Sequence, residues 1–134
     1  MFVDFEGEPD RYLEERRLKG SPLRDLASML HSFRDAAMTE AERRSGTVAM
    51  ASEERATIEA LALAWYRWGA ATFLAGYLDT AGDAAYLPAS REEWATLLDA
   101  MMLEKTIYAL GYALNHAPNQ LGRPLRNVLQ LLWG

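Results

Sequence analysis

The apolar run ALALAWYRWGAATFLAGYL, Ala60 to Leu78, limits the folds open to this chain more than any other segment. It is long enough to cross a membrane, but Arg67 lies near its middle, where a charge is costly in hydrocarbon. A helix that is apolar on all sides belongs in a core or a bilayer. Arg67 favours the core, so the expectation is a buried helix of a soluble protein with no membrane partner. Asp4, Glu6 and Glu8 interrupt any secretory h-region at the start of the chain.

The remaining segments are helical in period. Ser21-Pro22 makes a helix start, with Ser as N-cap and Pro at the first helical position. Leu23, Leu26, Ala27, Leu30 and Phe33 follow at helical spacing, and Ser45-Gly46 punctuates an end after about Arg43. The apolar run belongs to a second helix, from about Glu53 to Thr80, stopped by Gly82. SREEW at Ser90 to Trp94 has the form of a capping box, Ser90 reaching the backbone of Glu93 and Glu93 reaching back. It opens a third helix that runs to about Asn115. Pro124 opens a short terminal helix carrying Leu125, Val128, Leu129 and Leu132.

Residues 2 to 5 alone read as a strand. A single strand cannot satisfy its backbone donors and acceptors without a neighbour, and no other segment alternates. The pattern therefore predicts one mainly α domain over residues 1–134 with a short N-terminal strand whose partner lies elsewhere. One core suits the length of 134 residues. The net charge of −5 argues against a nucleic-acid partner, which calls for clustered Lys and Arg. The absence of cysteine excludes disulfides, thiolate zinc sites and a Cys nucleophile, and suits the cytoplasm.

Taken together, FVDFEGEP, ERRLKGSPLRDLASMLHSF, FLAGYL, LEKTIYALGYALN and RPLRNVLQLL resemble, in order and spacing, the C-terminal part of maltokinases. The kinase region fused to trehalose synthase has the same pattern. The resemblance implies the helical C-lobe of a protein-kinase-like fold, similar to aminoglycoside phosphotransferases. It also implies transfer of the γ-phosphoryl group of ATP to maltose, giving maltose 1-phosphate. In that family a His-Gly-Asp-like catalytic loop precedes the strand ending at Asp4. No catalytic residue is therefore expected in this chain, and the upstream N-lobe and catalytic loop, or a trehalose synthase domain, are its expected partners.

The resemblance gives individual residues roles. Asp4 is implied as a ligand of the Mg²⁺ that accompanies ATP, with Glu6, one strand period on, as a second ligand or a holder of water. Without the motif, both are equally well solvated acids. Asp25 is implied to hold the catalytic loop in shape; by position alone it complements the dipole of its helix. Trp94, Leu98, Met101, Lys105, Tyr108 and Tyr112 form one helical stripe. There Glu104 and Lys105 are implied as hydrogen-bonding groups of a sugar site and Tyr108 as a stacking face. The plain alternative is a Lys that covers apolar surface with its stem.

The chain departs from the family at Ala109 and Ala113, where acids are usual, and at His116 to Gln120, where an Asn-Arg-Pro-Asp-Trp-like turn is usual. These departures leave a different acceptor open. His116 reads as a loop or surface residue, and His31 as a packed or hydrogen-bonded histidine rather than a general base. Two further readings stand beside the kinase segment: a related kinase segment with another acceptor, and a kinase-derived helical interaction module that self-associates through an exposed apolar face.

Overall fold

Helix α1, Leu23–Gly46, carries most of the buried surface, and its sequence explains why. Leu23, Leu26, Ala27, Leu30, Arg34, Ala37, Ala41 and Ser45 are buried at intervals of three and four residues, a stripe that holds along the whole helix. In the computed structural model, which describes residues 21–46, 51–118 and 121–133 together with Tyr12 and Glu14, three more helices follow. These are α2 (Ser52–Ala81), α3 (Arg91–His116) and α4 (Gly122–Trp133). The expected mainly helical architecture is present, and the described residues contain no strand. The strand expected at residues 2 to 5 lies outside the described residues.

Both α2 and α3 pack against α1, and α4 packs against α3. The backbones of α2 and α3 keep their Cα atoms more than 8 Å apart. Their side chains meet over α1, where Ala27, Leu30, Ala70 and Met102 form the core. Phe33, Tyr66, Phe73, Leu74, Leu98 and Met101 close around it. Phe33 and Phe73 pack edge to face at 5.5 Å between centroids, an arrangement that sets the positive edge of one ring against the face of the other. Alanines at 27, 37 and 41 keep the α1 surface low, so two helices can approach it closely.

The helix ends follow local chemistry. Ser21 Oγ accepts from the Leu23 N–H at 3.2 Å and caps α1, with Pro22 ahead of the first helical residue. At α3 the box is offset by one residue. Ser90 Oγ accepts from Glu93 N at 3.1 Å, but the Glu93 carboxylate accepts from Ala89 N at 3.2 Å rather than from Ser90 N. Ala51 precedes α2 with no side-chain cap, and Glu53 and Glu54 complement the dipole of that end instead. Gly82 stops α2 with φ +53° and ψ −130°, a conformation closed to residues with a Cβ, and its N–H donates to Leu78 O at 3.0 Å. Helix α4 starts at Gly122, two residues before the expected Pro124, and Pro124 still falls in the first turn, where no N–H is required.

The expectation of a buried α2 is overturned. Ala70 is its only buried residue, while Leu61 is 65 % exposed, Trp65 53 % and Trp68 71 %. The cause is geometric. Among the described elements only α1 packs against α2, so one side of an all-round apolar helix is covered and the other faces out. No described helix is long and apolar enough to cross a membrane.

The shared core sets a test of the fold. Leu30→Ala, at a residue 3 % exposed where all three long helices meet, is expected to cost about 2–5 kcal/mol in urea unfolding. A cost under about 1 kcal/mol would place the core elsewhere.

Candidate functional site

The sugar-site residues expected from the sequence lie where α3 crosses the N-terminal half of α1. Glu104 is paired with Arg24: one guanidinium nitrogen, Nη2, donates to both carboxylate oxygens at 3.1 and 3.2 Å. The two residues are 80 apart in sequence, and both are about half exposed. The contact joins the first turn of α1, where Arg24-Asp25 sits, to the middle of α3. It fixes the direction of the Glu104 carboxylate while leaving part of it open to solvent.

Lys105 and Tyr108 are also together. The Lys105 ammonium lies 5.2 Å from the centroid of the Tyr108 ring, within cation–π range. Lys105 therefore covers part of the aromatic surface that a pyranose ring would use, and a sugar stacking there has to use the uncovered part or move the ammonium. Tyr108 Oη is buried. Of the stripe Trp94, Leu98, Met101, Lys105, Tyr108 and Tyr112 the first five are half-buried and Tyr112 is exposed, and the deeply buried line of α3 runs beside it through Met102, Thr106 and Ala113. The Thr106 hydroxyl, 1 % exposed as a residue, donates to Met102 O at 2.7 Å and is satisfied within the helix. Lys105 and Tyr108 thus stand at the edge of the core rather than in it.

His31 faces this edge from α1. Its Nε2 is buried with no hydrogen-bond partner among the described residues, so it is packed, not bonded. Burial pushes its pKa down from the usual 6.5; the Asp35 carboxylate opposes the shift, and the Lys105 and Arg34 cations add to it. The histidine is therefore held in its neutral form beside Lys105. Among the described residues nothing links it to a group whose proton it would take. His116 closes α3 and packs edge-on against Tyr112 at 4.5 Å, exposed as expected but within the last helical turn rather than in a loop.

Asp25 is exposed in the first turn of α1, in the position that complements the helix dipole. Its charge reaches Tyr77 of α2. Partial burial, a hydrogen bond with Tyr86 and the Asp25 carboxylate together push Tyr77 up to about 12. Asp4 and Glu6, the implied metal ligands, lie outside the described residues. Among the described residues no cluster of three or more His, Asp or Glu could hold a metal ion.

Two polar features escaped the sequence reading. Arg34, 8 % exposed, sits in the buried stripe of α1 beside Tyr66; burial lowers its pKa, and the nearby phenol works against that. Its place in the 23, 26, 27, 30, 37, 41 series was the available signal. The second is an ion-pair network from α4 to α1. Arg123 donates to Glu42 at 3.0 Å and to Asp35 at 3.4 Å, and Arg126 pairs with Glu42. Burial opposes the Arg123 charge, but the two acids outweigh it and raise its pKa. No sequence pattern signals contacts between residues 81 and 88 positions apart.

An apolar groove of about 320 Å³ lies between α1 and α2, with Ala37, Ala41, Ile58, Leu61 and Trp65 on its walls. Glu40 and Arg44 rim it, and hydrogen bonds from Arg43 and Arg44 hold the Glu40 carboxyl at about 2. No protein-family model matches the chain.

Two measurements follow from this geometry. Because the folded pKa of His31 is lowered, the unfolded chain binds the extra proton, so the fold loses stability as pH falls below about 6.5, until His31 itself is protonated. Urea midpoints between pH 8 and pH 5 should show this loss, and His31→Gln should flatten it. The Arg24–Glu104 pair is half exposed, so a double-mutant cycle with Arg24→Ala and Glu104→Ala is expected to give a coupling of about 0.2–1 kcal/mol.

Proposed function

We propose that this chain is the C-terminal segment of a maltokinase-like sugar kinase, the part of a protein-kinase-like C-lobe that lines the acceptor site. The observation that carries the reading is the Arg24–Glu104 pair, which joins two of the motifs on which the resemblance rests, SPLRD and LEKTIY. A residue from each supplies one end of a single polar contact, next to Lys105 and Tyr108.

In this reading Glu104, oriented by Arg24, accepts hydrogen bonds from sugar hydroxyls, Lys105 donates to ring or hydroxyl oxygens, and Tyr108 gives an apolar face to the pyranose. Asp25 stabilises the turn region at the start of α1. Asp4 and Glu6 would hold the Mg²⁺ that accompanies ATP in the complete enzyme. Phosphoryl transfer also requires a base for the acceptor hydroxyl and a phosphate-covering loop with its Lys; both are assigned to the upstream lobe. Ala113 is 7 % exposed, so an acid there would be buried, and this position contributes packing rather than an acceptor contact. That departure favours an acceptor pocket narrower in polar contacts than the family's, and keeps a related acceptor sugar as the variant of this reading.

The second reading, a kinase-derived interaction module without catalysis, draws on the exposed outer face of α2. One set of experiments separates the two. Saturation-transfer NMR on the purified chain is expected to show maltose contact that Tyr108→Ala and Lys105→Met each reduce at least several-fold. No transfer from the unaltered chain removes the sugar site. ATP and maltose incubated with the chain are expected to yield no maltose 1-phosphate; product formation would overturn the assignment of the catalytic loop to an upstream segment.

A further inference from the structure

The groove between α1 and α2 is used neither by the core nor by the proposed sugar site. It exists because the two helices meet there through their smallest side chains. Ala36, Ala37 and Ala41 line it from α1 and Ala62 from α2, and a methyl group does not reach across to the other helix. Ile58, Leu61 and Trp65 complete the α2 wall. Trp65 is 53 % exposed, so a large part of its ring surface is open to an occupant.

We propose that this groove is a binding site for a small, uncharged aromatic molecule of about two rings. Its volume of about 320 Å³ falls at the lower end of the roughly 300–1,000 Å³ of small-molecule clefts. An apolar cavity of about 150 Å³ takes up one benzene, so this groove has room for two rings.

Charge and hydrogen bonding decide the class of molecule. The two charged residues that line the groove, Glu40 and Arg44, are bonded to each other at 2.7 Å. The rim therefore carries one charge of each sign, already compensated, and attracts neither an anion nor a cation. Apart from the indole N–H of Trp65, the side chains of the walls have no hydrogen-bonding group. A ligand that buried polar groups here would lose their hydration without replacement. An aromatic ring loses little, has no chain to order, and gains edge or face contact with Trp65.

The site is separate from the acceptor region. Ala36 lies twelve residues beyond Arg24, about 18 Å along α1. The proposal therefore does not depend on the sugar reading.

Titration of the full chain with N-phenylnaphthylamine, an uncharged probe that fluoresces on leaving water, tests the site. One probe per chain is expected, with a dissociation constant on the order of 10–100 μM, as ordinary ligand efficiencies give a molecule of this size. Ala62→Leu, at a half-buried wall position, should fill the groove and weaken binding about tenfold or more. Trp65→Ala should weaken it several-fold, and circular dichroism should show both variants still helical. Trp68→Ala, outside the groove, should bind as the unaltered chain does. Anilinonaphthalene sulfonate, the same rings with a negative charge, should bind at least tenfold more weakly. The absence of a fluorescence rise at about 100 μM probe overturns the proposal. Binding lost in Trp68→Ala but kept in Ala62→Leu overturns the groove as the site, and equal or tighter binding of the sulfonate overturns the uncharged class.

Discussion

Everything in this fold is organised by the stripe along α1, because it is the surface that the two other long helices share. Among the described residues the backbones of α2 and α3 do not pack against each other, and both rest on the stripe of Leu23, Leu26, Ala27, Leu30, Ala37 and Ala41, over which their side chains meet. Hydrophobic burial there is dense, since these residues are 8 % exposed or less. Away from the stripe it falls quickly: α2 buries one residue and α3 three. A three-helix arrangement with one shared member covers one side of each outer helix and leaves the other open.

That asymmetry shapes the two exposed margins of the core. Where α3 crosses α1, polar residues stand at the margin of the core, close enough to be oriented by it and open enough to meet a ligand. Arg24 sets Glu104, and Lys105 lies against Tyr108. On the far side of α2 the margin is apolar, and the same lack of a third layer exposes Trp68. Neither surface needs the other. The first is polar and the second apolar.

Much of the local structure was legible in the sequence because its causes are local. Ser21-Pro22, Ser90 and Gly82 act through backbone groups within four residues, and each marks a helix end in the structure. The offset in the α3 cap, where Glu93 reaches Ala89, shows how far such reading goes: the box is present, but the side chain chose the neighbouring N–H. The apolar series of α1 identified its buried face for the same reason, since helical period alone sets which residues share a side. For the candidate site, spacing placed Lys105 and Tyr108 together on one face of α3, three residues apart.

The sequence by itself determined four helical segments, several of their ends, and the face that α1 turns inward, because periodicity and capping are properties of neighbouring residues. It could not determine how many sides of α2 would be covered. Composition marks the segment 60–78 as apolar all round, but burial depends on how many other helices reach it, and among the described helices only α1 does. Tertiary structure alone also decided that Arg24 meets Glu104 across 80 residues, that Arg123 reaches Glu42 and Asp35, and that Arg34 is buried beside Tyr66. Those contacts come from the crossing of helices, a relation between distant segments that no local pattern encodes.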